Sequence, residues 1–253
     1  MTAKSFAIGL RIEHPQEMIN QSQYGSPSDD ILGSASYKLT HTASNGRGVY
    51  TFCMCPGGYV VNASSEEGGC VVNGMSYHGR DSGNANSAVI VTVTPEDFPS
   101  EDVLAGVEFQ RQWERRAYLA GKGKVPVQLY RDFCGGTVSE AFGDVQPVHK
   151  GGTAFADLNQ CLPKYVCDSL KEGIEAFGHK IQNYNRGDAV LSGVETRTSS
   201  PVRMERDTEF QSEIRGIYPC GEGAGYAGGI TSAAMDGLRI AEAIRKVYCP
   251  NEG

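Results

Sequence analysis

The sequence has no long hydrophobic run and no cluster of positive charge. No segment approaches the roughly 18 consecutive apolar residues of a membrane-spanning helix, and Met1 to Phe6 lack the apolar core of a signal peptide. The 23 lysines and arginines are outnumbered by 30 aspartates and glutamates, which leaves a net charge of −7. Because membranes and nucleic acids attract clustered Lys and Arg, we expect neither partner and predict a cytoplasmic location.

Other chemical signatures are missing as well. The sequence has no nucleophile elbow and no Ser/His/Asp order, which argues against a hydrolase. Cys161 and Cys167 have no companion pair at zinc-site spacing, so no metal site is predicted. The eight cysteines are scattered through a chain that has no signal segment and is well supplied with apolar residues. We therefore interpret them as reduced, mostly buried thiols.

Glycines and short apolar segments are abundant. The 32 glycines are clustered without a period, which indicates places where the backbone approaches something closely. Helices are predicted over residues 101–121, from Pro163 and from about Gly229 to Val247, and a loop over residues 135–157. The predicted strands are Phe6–Glu13, Tyr37–Thr40, Gly48–Cys55, Tyr59–Ala63, Val71–Asn73, Ala88–Thr94, Ala189–Arg197, Val202–Glu205 and Gly216–Cys220.

These elements predict an α+β fold in two parts. Residues 1–205 form a largely antiparallel β domain with a few helices, and residues 206–253 form a terminal strand, a glycine-rich turn and a helix. In the turn, Gly223, Gly225 and Gly228 match G-x-G-x-x-G. A dinucleotide site also needs a second parallel strand. Only 25 residues follow Gly228, so the turn cannot be such a site by itself.

The glycine-rich turn still suits a polar ligand. Its backbone N–H groups and the positive end of the following helix fit an anion or a polarised carbonyl. Glu222, in the same turn, is placed to accept hydrogen bonds from a hydroxylated chain. The alternative is a surface turn that does nothing except cap a helix.

Several segments resemble the FAD-dependent dehydrogenases of the two-domain, glutathione-reductase-like flavoprotein class. The resemblance covers nearly the whole chain. It is carried by Phe6–Pro15, Arg47–Tyr59, Asn73–Tyr77, Asn84–Ser87, Val194–Pro201 and Tyr218–Ile230. Members of that family are about twice as long, and their N-terminal half holds the ADP part of FAD. The resemblance thus implies an oxidoreductase whose C-terminal half is the present chain, with the missing N-terminal half as its partner.

The resemblance also implies which residues meet the cofactor. Glu222 would face the ribityl hydroxyls, and the N–H groups from Gly228 to Ile230 would face the N1–C2=O edge of the flavin. The implied cofactor-binding residues are Gly221, Glu222, Gly223, Gly225, Gly228, Gly229 and Ile230. Without the N-terminal half, FAD binding by this chain is expected to be weak or absent.

Arg80, Asn84 and Arg197 are candidates for a polar pocket that takes an acidic or carbonyl substrate. For Arg197 the alternative is an ion pair with Glu195 across the sheet. His14 and His78 lie in the family-like segments, and we interpret both as hydrogen-bonded structural residues rather than proton carriers.

Cys53 and Cys55 stand two positions apart on a predicted strand, so their side chains should face the same side. Their Cα atoms would be about 6.6 Å apart, near the upper limit for a disulfide. We interpret them as small core residues, or as one thiol beside the flavin. Three functional hypotheses remain open: the C-terminal portion of a flavin oxidoreductase, a non-catalytic stand-alone binding domain without a cofactor, and a thiol-redox protein that uses this pair.

Overall fold

The structure is a computed structural model that describes residues 1–28 and 31–249. The chain divides into two compact units. The smaller unit contains residues 1–7, 93–110 and those from Arg197 onward, and the larger contains residues 8–92 and 111–196. The predicted domain boundary after residue 205 stays a prediction.

The described residues contain five α-helices and twelve strands. The helices are α1 (Gln16–Tyr24), α2 (Ala105–Ala120), α3 (Tyr130–Gly135), α4 (Lys164–Gly178) and α5 (Ile230–Tyr248). The strands are β1 (Thr2–Ala3), β2 (Phe6–Pro15), β3 (Thr40–Thr42), β4 (Gly48–Cys55), β5 (Tyr59–Asn62), β6 (Val72–Met75), β7 (Asn84–Val93), β8 (Val125–Leu129), β9 (His149–Lys150), β10 (Thr153–Phe155), β11 (Val190–Glu195) and β12 (Val202–Arg203).

Antiparallel pairing dominates the sheets, and the α+β prediction is confirmed. The main sheet has the strand order β10-β8-β11-β2-β7-β4-β3. Within it, β11 pairs antiparallel with both β2 and β8, and β4 pairs antiparallel with both β3 and β7, while β10 pairs parallel with β8. A second sheet has the order β6-β5-β9.

The core of the larger unit follows from the predicted periodicities. On β2, Ile8, Leu10 and Ile12 are at most 1% exposed. On α4, the face formed by Val166, Leu170, Ile174 and Phe177 is buried to the same degree, and α4 lies against β3 and β4. Each such side chain contributes about 1.5–3 kcal/mol by leaving water.

The smaller unit has an aromatic centre. Phe6, Phe98 and Phe109 are all at most 9% exposed, and their ring centroids are 5.6–6.3 Å apart. Beside this cluster β1 pairs antiparallel with β12, with Thr2 opposite Arg203. Aromatic pairs at such distances add stabilisation beyond the apolar area they bury.

Several sequence predictions were wrong in detail. Gly216–Cys220 is not a strand, and no strand in the described residues lies beside it to share backbone hydrogen bonds. The predicted loop over 135–157 contains β9 and β10, which are too short for periodicity to reveal. The pattern also missed α1, a mostly polar helix, β8, which contains Pro126, and α3, and it placed β3 about three residues too early.

None of the helices in the described ranges is long and apolar enough to cross a membrane.

Candidate functional site

The predicted glycine-rich turn leads directly into α5 and depends on two left-handed glycines. Gly221 has φ = 71° and Gly225 has φ = 85°, conformations that other residues rarely adopt. A Cβ atom at Gly225 would lie 2.5 Å from the carbonyl oxygen of Val202. The turn closes through hydrogen bonds from Gly225 N to Glu222 O (2.9 Å) and from Tyr226 N to Gly221 O (3.0 Å). The glycines therefore shape this turn as well as leaving it open.

The start of α5 is open to a ligand. Gly229 precedes the helix and supplies no side-chain cap, and a Cβ atom at Gly223 or Gly228 would meet nothing within 4 Å. Within the described residues, the first N–H groups of the helix find no acceptor; they belong to Ile230, Thr231 and Ser232. Such unpaired donors at a positive helix end fit a negatively charged or polarised oxygen.

Glu222 is exposed, and its carboxylate accepts no hydrogen bond from the part of the chain that the structure describes. It therefore remains available to hydroxyl groups. All seven predicted cofactor-binding residues lie in this turn or at the start of α5, so the chain presents one polar site there. Their assignment to the flavin ring edge and the ribityl chain stays a prediction of the family resemblance.

A buried ion pair that the sequence analysis missed holds the turn against α5. The guanidinium of Arg206 donates to both oxygens of Asp236 at 2.7 and 2.9 Å. Gly221 N donates to Asp236 Oδ2 at 2.9 Å, and Arg206 lies 3.6 Å from the centroid of the Tyr226 ring. Asp236 is 6% exposed. In the sequence, the one signal for this ion pair was an acidic residue on a face of α5 that otherwise carries small residues. Its partner could not be identified from spacing, because it lies 30 positions away.

We expect Asp236→Asn to lower the free energy of unfolding at pH 7 by about 2 kcal/mol, because charge-assisted hydrogen bonds are lost. The hydrogen bonds from Arg206 hold the pKa of Asp236 below its usual value. The carboxylate's stabilisation is therefore fully present above about pH 4, the usual pKa of an unfolded aspartate, and is lost as the pH falls through the folded pKa. Urea unfolding of both proteins from pH 7 to pH 3 measures this, and a difference that does not shrink with acidity would contradict it.

The three residues predicted to form a substrate pocket have different environments. Arg80 is exposed in the loop between β6 and β7, where it lines a cavity of about 540 Å³. Asn84 is 7% exposed, and its amide donates to Glu13 Oε1 and to Gln146 O. Its side-chain amide is thus used inside the protein. Arg197 belongs to the smaller unit. A shared pocket of the three residues stays a prediction.

A second buried ion pair lies in the larger unit and uses both carboxylate oxygens of Glu195. Arg11 donates from Nε and Nη2 to the two carboxylate oxygens of Glu195 at 2.7 and 2.9 Å. The Arg11 side chain is 0% exposed. Burial by itself would lower the pKa of Arg11, but Glu195 raises it above the usual value. The sequence signal for Arg11 was its position between the apolar residues Leu10 and Ile12 of β2, where a charged side chain points to the other face of the strand.

A buried carboxylate and a histidine lie beside this pair on β2 and β9. Glu13 Oε2 lies 2.9 Å from His149 Nε2, which is also 3.0 Å from Ser192 Oγ. His14, on the opposite face of β2, bonds through Nε2 to Tyr184 O at 2.7 Å. Burial lowers the pKa of His14 to about 4, so it is neutral at pH 7. The predicted hydrogen-bonded role of His14 is thus confirmed. The same interpretation of His78 was wrong, because His78 is exposed and its ring nitrogens have no hydrogen-bond partner within the described residues.

The interpretation of Cys53 and Cys55 as core residues was wrong. The pairing of β4 with β7 shifts between Phe52 and Cys55, and Cys53 adopts the left-handed conformation with φ = 43°. The regular alternation of the strand is therefore broken, and Cys53 is exposed while Cys55 is half-buried. Burial raises the pKa of the Cys55 thiol despite Arg11 nearby, so this thiol is not activated.

The wider cysteine prediction was also partly wrong. All eight cysteines lie in the described residues and none is bridged there. Only Cys70, Cys161 and Cys167 are buried, so most of the thiols are not. Burial raises the pKa of Cys161 and of Cys167 to about 12. Over residues 1–28 and 31–249, no group of three or more His, Cys, Asp or Glu side chains is arranged to hold a metal ion.

Comparison with known proteins places the chain in a family. The sequence profile described as "FAD-dependent protein, C-terminal domain-like" matches residues 5–198, more than half of the chain. The chain belongs to this FAD-dependent C-terminal domain family. The matched region ends before the glycine-rich turn, so the profile covers the larger unit and only part of the smaller one.

An uncharacterised protein from Clostridium beijerinckii is similar over a longer stretch. It is 55% identical over 249 residues, which cover 96% of this chain and 47% of that protein. The chain thus spans about half the length of the curated relative it matches. Because so few residues lie outside the similarity, the glycine-rich turn lies within it.

Proposed function

We propose that the chain is the flavin-contacting C-terminal portion of a FAD-dependent oxidoreductase of the glutathione-reductase-like class. The observation that carries the proposal is the open, unpaired start of α5 behind the glycine-rich turn, in a chain that belongs to a FAD-dependent family. A hydrolytic or metal-dependent activity has no comparable support in the sequence.

The residues of the turn have separate tasks in this proposal. A bound FAD would supply hydride or electron transfer. The N–H groups at Ile230, Thr231 and Ser232 would hold negative charge at the ring edge, which contributes about 0.3–2 kcal/mol. Glu222 would accept hydrogen bonds from the ribityl hydroxyls, and the Arg206–Asp236 ion pair would keep the turn in position.

Exposed apolar side chains on and near α5 support the proposed partner, a missing N-terminal half of the same protein. Large apolar side chains of the smaller unit remain uncovered by the described residues. Ile230 is 90% exposed and Leu238 is 67% exposed on the helix, and Ile214 before the turn is 67% exposed. Exposed apolar side chains of this size are available to a protein partner. In this proposal the N-terminal half covers it.

The chain by itself should bind FAD poorly, because it meets only one part of the cofactor. Glu222 and the start of α5 offer two or three hydrogen bonds worth about 1 kcal/mol each. Lost translational and rotational freedom costs about 4–15 kcal/mol on association. We therefore expect a colourless purified chain. Titration with FAD, followed by flavin fluorescence, should show a dissociation constant no tighter than the high micromolar range.

Reconstitution tests the proposal directly. Co-expression of the chain with the N-terminal half of the Clostridium beijerinckii relative should yield a yellow complex with one flavin per chain. A chain that purifies alone with stoichiometric flavin would contradict the argument about affinity. A stable but colourless complex would favour the alternative, a stand-alone binding domain without a cofactor.

A further inference from the structure

A polar cavity lies in the larger unit, away from the glycine-rich turn in sequence. It has a volume of about 540 Å³. Its lining residues are Leu32, Gly33, Ser34, Ser76, Tyr77, His78, Gly79 and Arg80, which we call the 76–80 cavity. Two chain segments, one before β3 and one between β6 and β7, supply all of them.

Two buried side chains of α1 form hydrogen bonds with the segment before β3. One of them also forms a hydrogen bond with the turn at Gly57, which contacts the segment between β6 and β7. Gln16 is 6% exposed; its Oε1 accepts from Gly57 N at 2.8 Å and its Nε2 donates to Ala35 O at 2.9 Å. Asn20 is 7% exposed, and its Oδ1 accepts from Ala35 N at 2.9 Å. The walls are therefore fixed by hydrogen bonds from the interior of the unit.

The turn at Gly57 in turn fixes the loop that carries Arg80. Ser76 Oγ donates to Pro56 O at 2.8 Å, and Ser82 Oγ donates to Gly58 O at 2.7 Å. A Cβ atom at Gly57 would lie 1.7 Å from Arg80 O. Glycine at position 57 therefore allows the Arg80 backbone to lie against this turn, which a residue with a side chain would prevent.

Arg80 is held in a conformation that arginine seldom adopts. Its φ is +51°, in the left-handed region, where non-glycine residues are uncommon. Across the cavity, Ser34 Oγ donates to Arg80 O at 3.3 Å. Backbone strain of this kind persists where the surrounding structure imposes it, and such residues cluster at ligand sites.

The side chains at the cavity are free to bind. Within the described residues the guanidinium of Arg80, the ring nitrogens of His78 and the hydroxyl of Tyr77 have no hydrogen-bond or ion-pair partner. A second cation lies near, because Lys150 Nζ is 5.5 Å from the centroid of the Tyr77 ring. The guanidinium therefore has its five donors available in the fork geometry that matches a carboxylate.

The charge on the loop that carries Arg80 favours a ligand with one negative charge over a ligand with two. The one negative group on this loop is Asp81, whose carboxylate would lie 3.6 Å from a Cβ atom at Gly79. Its charge opposes a second negative charge on a ligand beside Arg80. A monocarboxylate pairs with Arg80 and is repelled by Asp81 through a single charge. A phosphate dianion is repelled through two charges.

We propose that the 76–80 cavity binds a small organic monocarboxylate through Arg80. The assignment of this carboxylate as the substrate rests on the proposed oxidoreductase function, but its binding does not. Ser34 and Ser76 hydroxyls, with the Tyr77 hydroxyl and His78, line the space around the carboxylate and its carbon chain.

Titration of the chain without FAD tests this site independently of the flavin proposal. The probes are benzoate, benzyl alcohol as its uncharged analogue, and inorganic phosphate, each followed by ¹H–¹⁵N NMR shifts. Benzoate should saturate the chain with a dissociation constant in the range of about 1 mM. Arg80→Asn should weaken it at least about tenfold, and Arg131→Gln, at an exposed arginine elsewhere, should leave it unchanged.

Thermal unfolding separates loss of binding from loss of structure. Asparagine adopts left-handed φ more readily than arginine, so Arg80→Asn should be at least as stable as the parent. Equal benzoate binding by the parent and Arg80→Asn would overturn the proposal. Binding of benzyl alcohol or phosphate as tight as that of benzoate would overturn the assignment to a monocarboxylate.

Discussion

Glu195→Ala is expected to lower the free energy of unfolding by about 3–5 kcal/mol, because it leaves a buried charge without its partner. Arg11 is 0% exposed, and its Nε and Nη2 atoms donate hydrogen bonds to the carboxylate of Glu195. Its remaining contacts are with neutral acceptors, among them Asn86 Oδ1 at 2.7 Å and Cys53 O at 3.1 Å. Neutral acceptors offset only part of the cost of burying the cation.

Urea unfolding of the parent and the variant measures this loss. Asp168→Ala is the matched control, because Asp168 pairs with Lys164 at the exposed surface and should change the free energy of unfolding far less. Replacement of both Arg11 and Glu195 by methionine should recover most of the loss, since it removes both charges. A Glu195→Ala variant as stable as Asp168→Ala would show that the pair does not stabilise the fold.

Gly228→Leu in the reconstituted complex is expected to weaken flavin binding about 100-fold or more, equivalent to ~2.7 kcal/mol. Gly228 is exposed, and a Cβ atom there meets nothing within 4 Å. Its φ is not in the left-handed region. The chain itself therefore tolerates the larger side chain, which would project in front of the open start of α5 and block the approach of the ring.

The flavin-to-protein absorbance ratio of the purified complex measures this effect. Thermal unfolding of the isolated Gly228→Leu chain should match that of the parent, because nothing within the chain is displaced. Gly135→Leu is a control in the larger unit, where a Cβ atom makes only an ordinary contact of 3.8 Å with Thr137 Oγ1. Full flavin content in the Gly228→Leu complex would remove the start of α5 from the proposed site.

Local patterns predicted the longest regular elements well. The 3.6-residue period of apolar positions on α4 and the alternation of apolar residues on β2 correspond to regular elements in the described residues, although the polar positions of β2, Arg11 among them, are buried as well. The short strands β9 and β10 and the polar helix α1 carry too few apolar residues to produce such a signal. The wrongly predicted strand at Gly216–Cys220 shows that an apolar segment alone is not sufficient, because a strand also needs a partner strand for its backbone hydrogen bonds.

The sequence by itself determined the family, the α+β class and the place of the glycine-rich turn before α5, because these depend on motifs and periods that are local along the chain. The tertiary structure decided which charged groups meet. Arg11 and Glu195 are 184 positions apart, and Arg206 and Asp236 are 30 apart. It also decided that Arg80 lines a cavity while Asn84 is buried. Such pairings depend on strand order and on the packing of loops, which residue spacing does not encode.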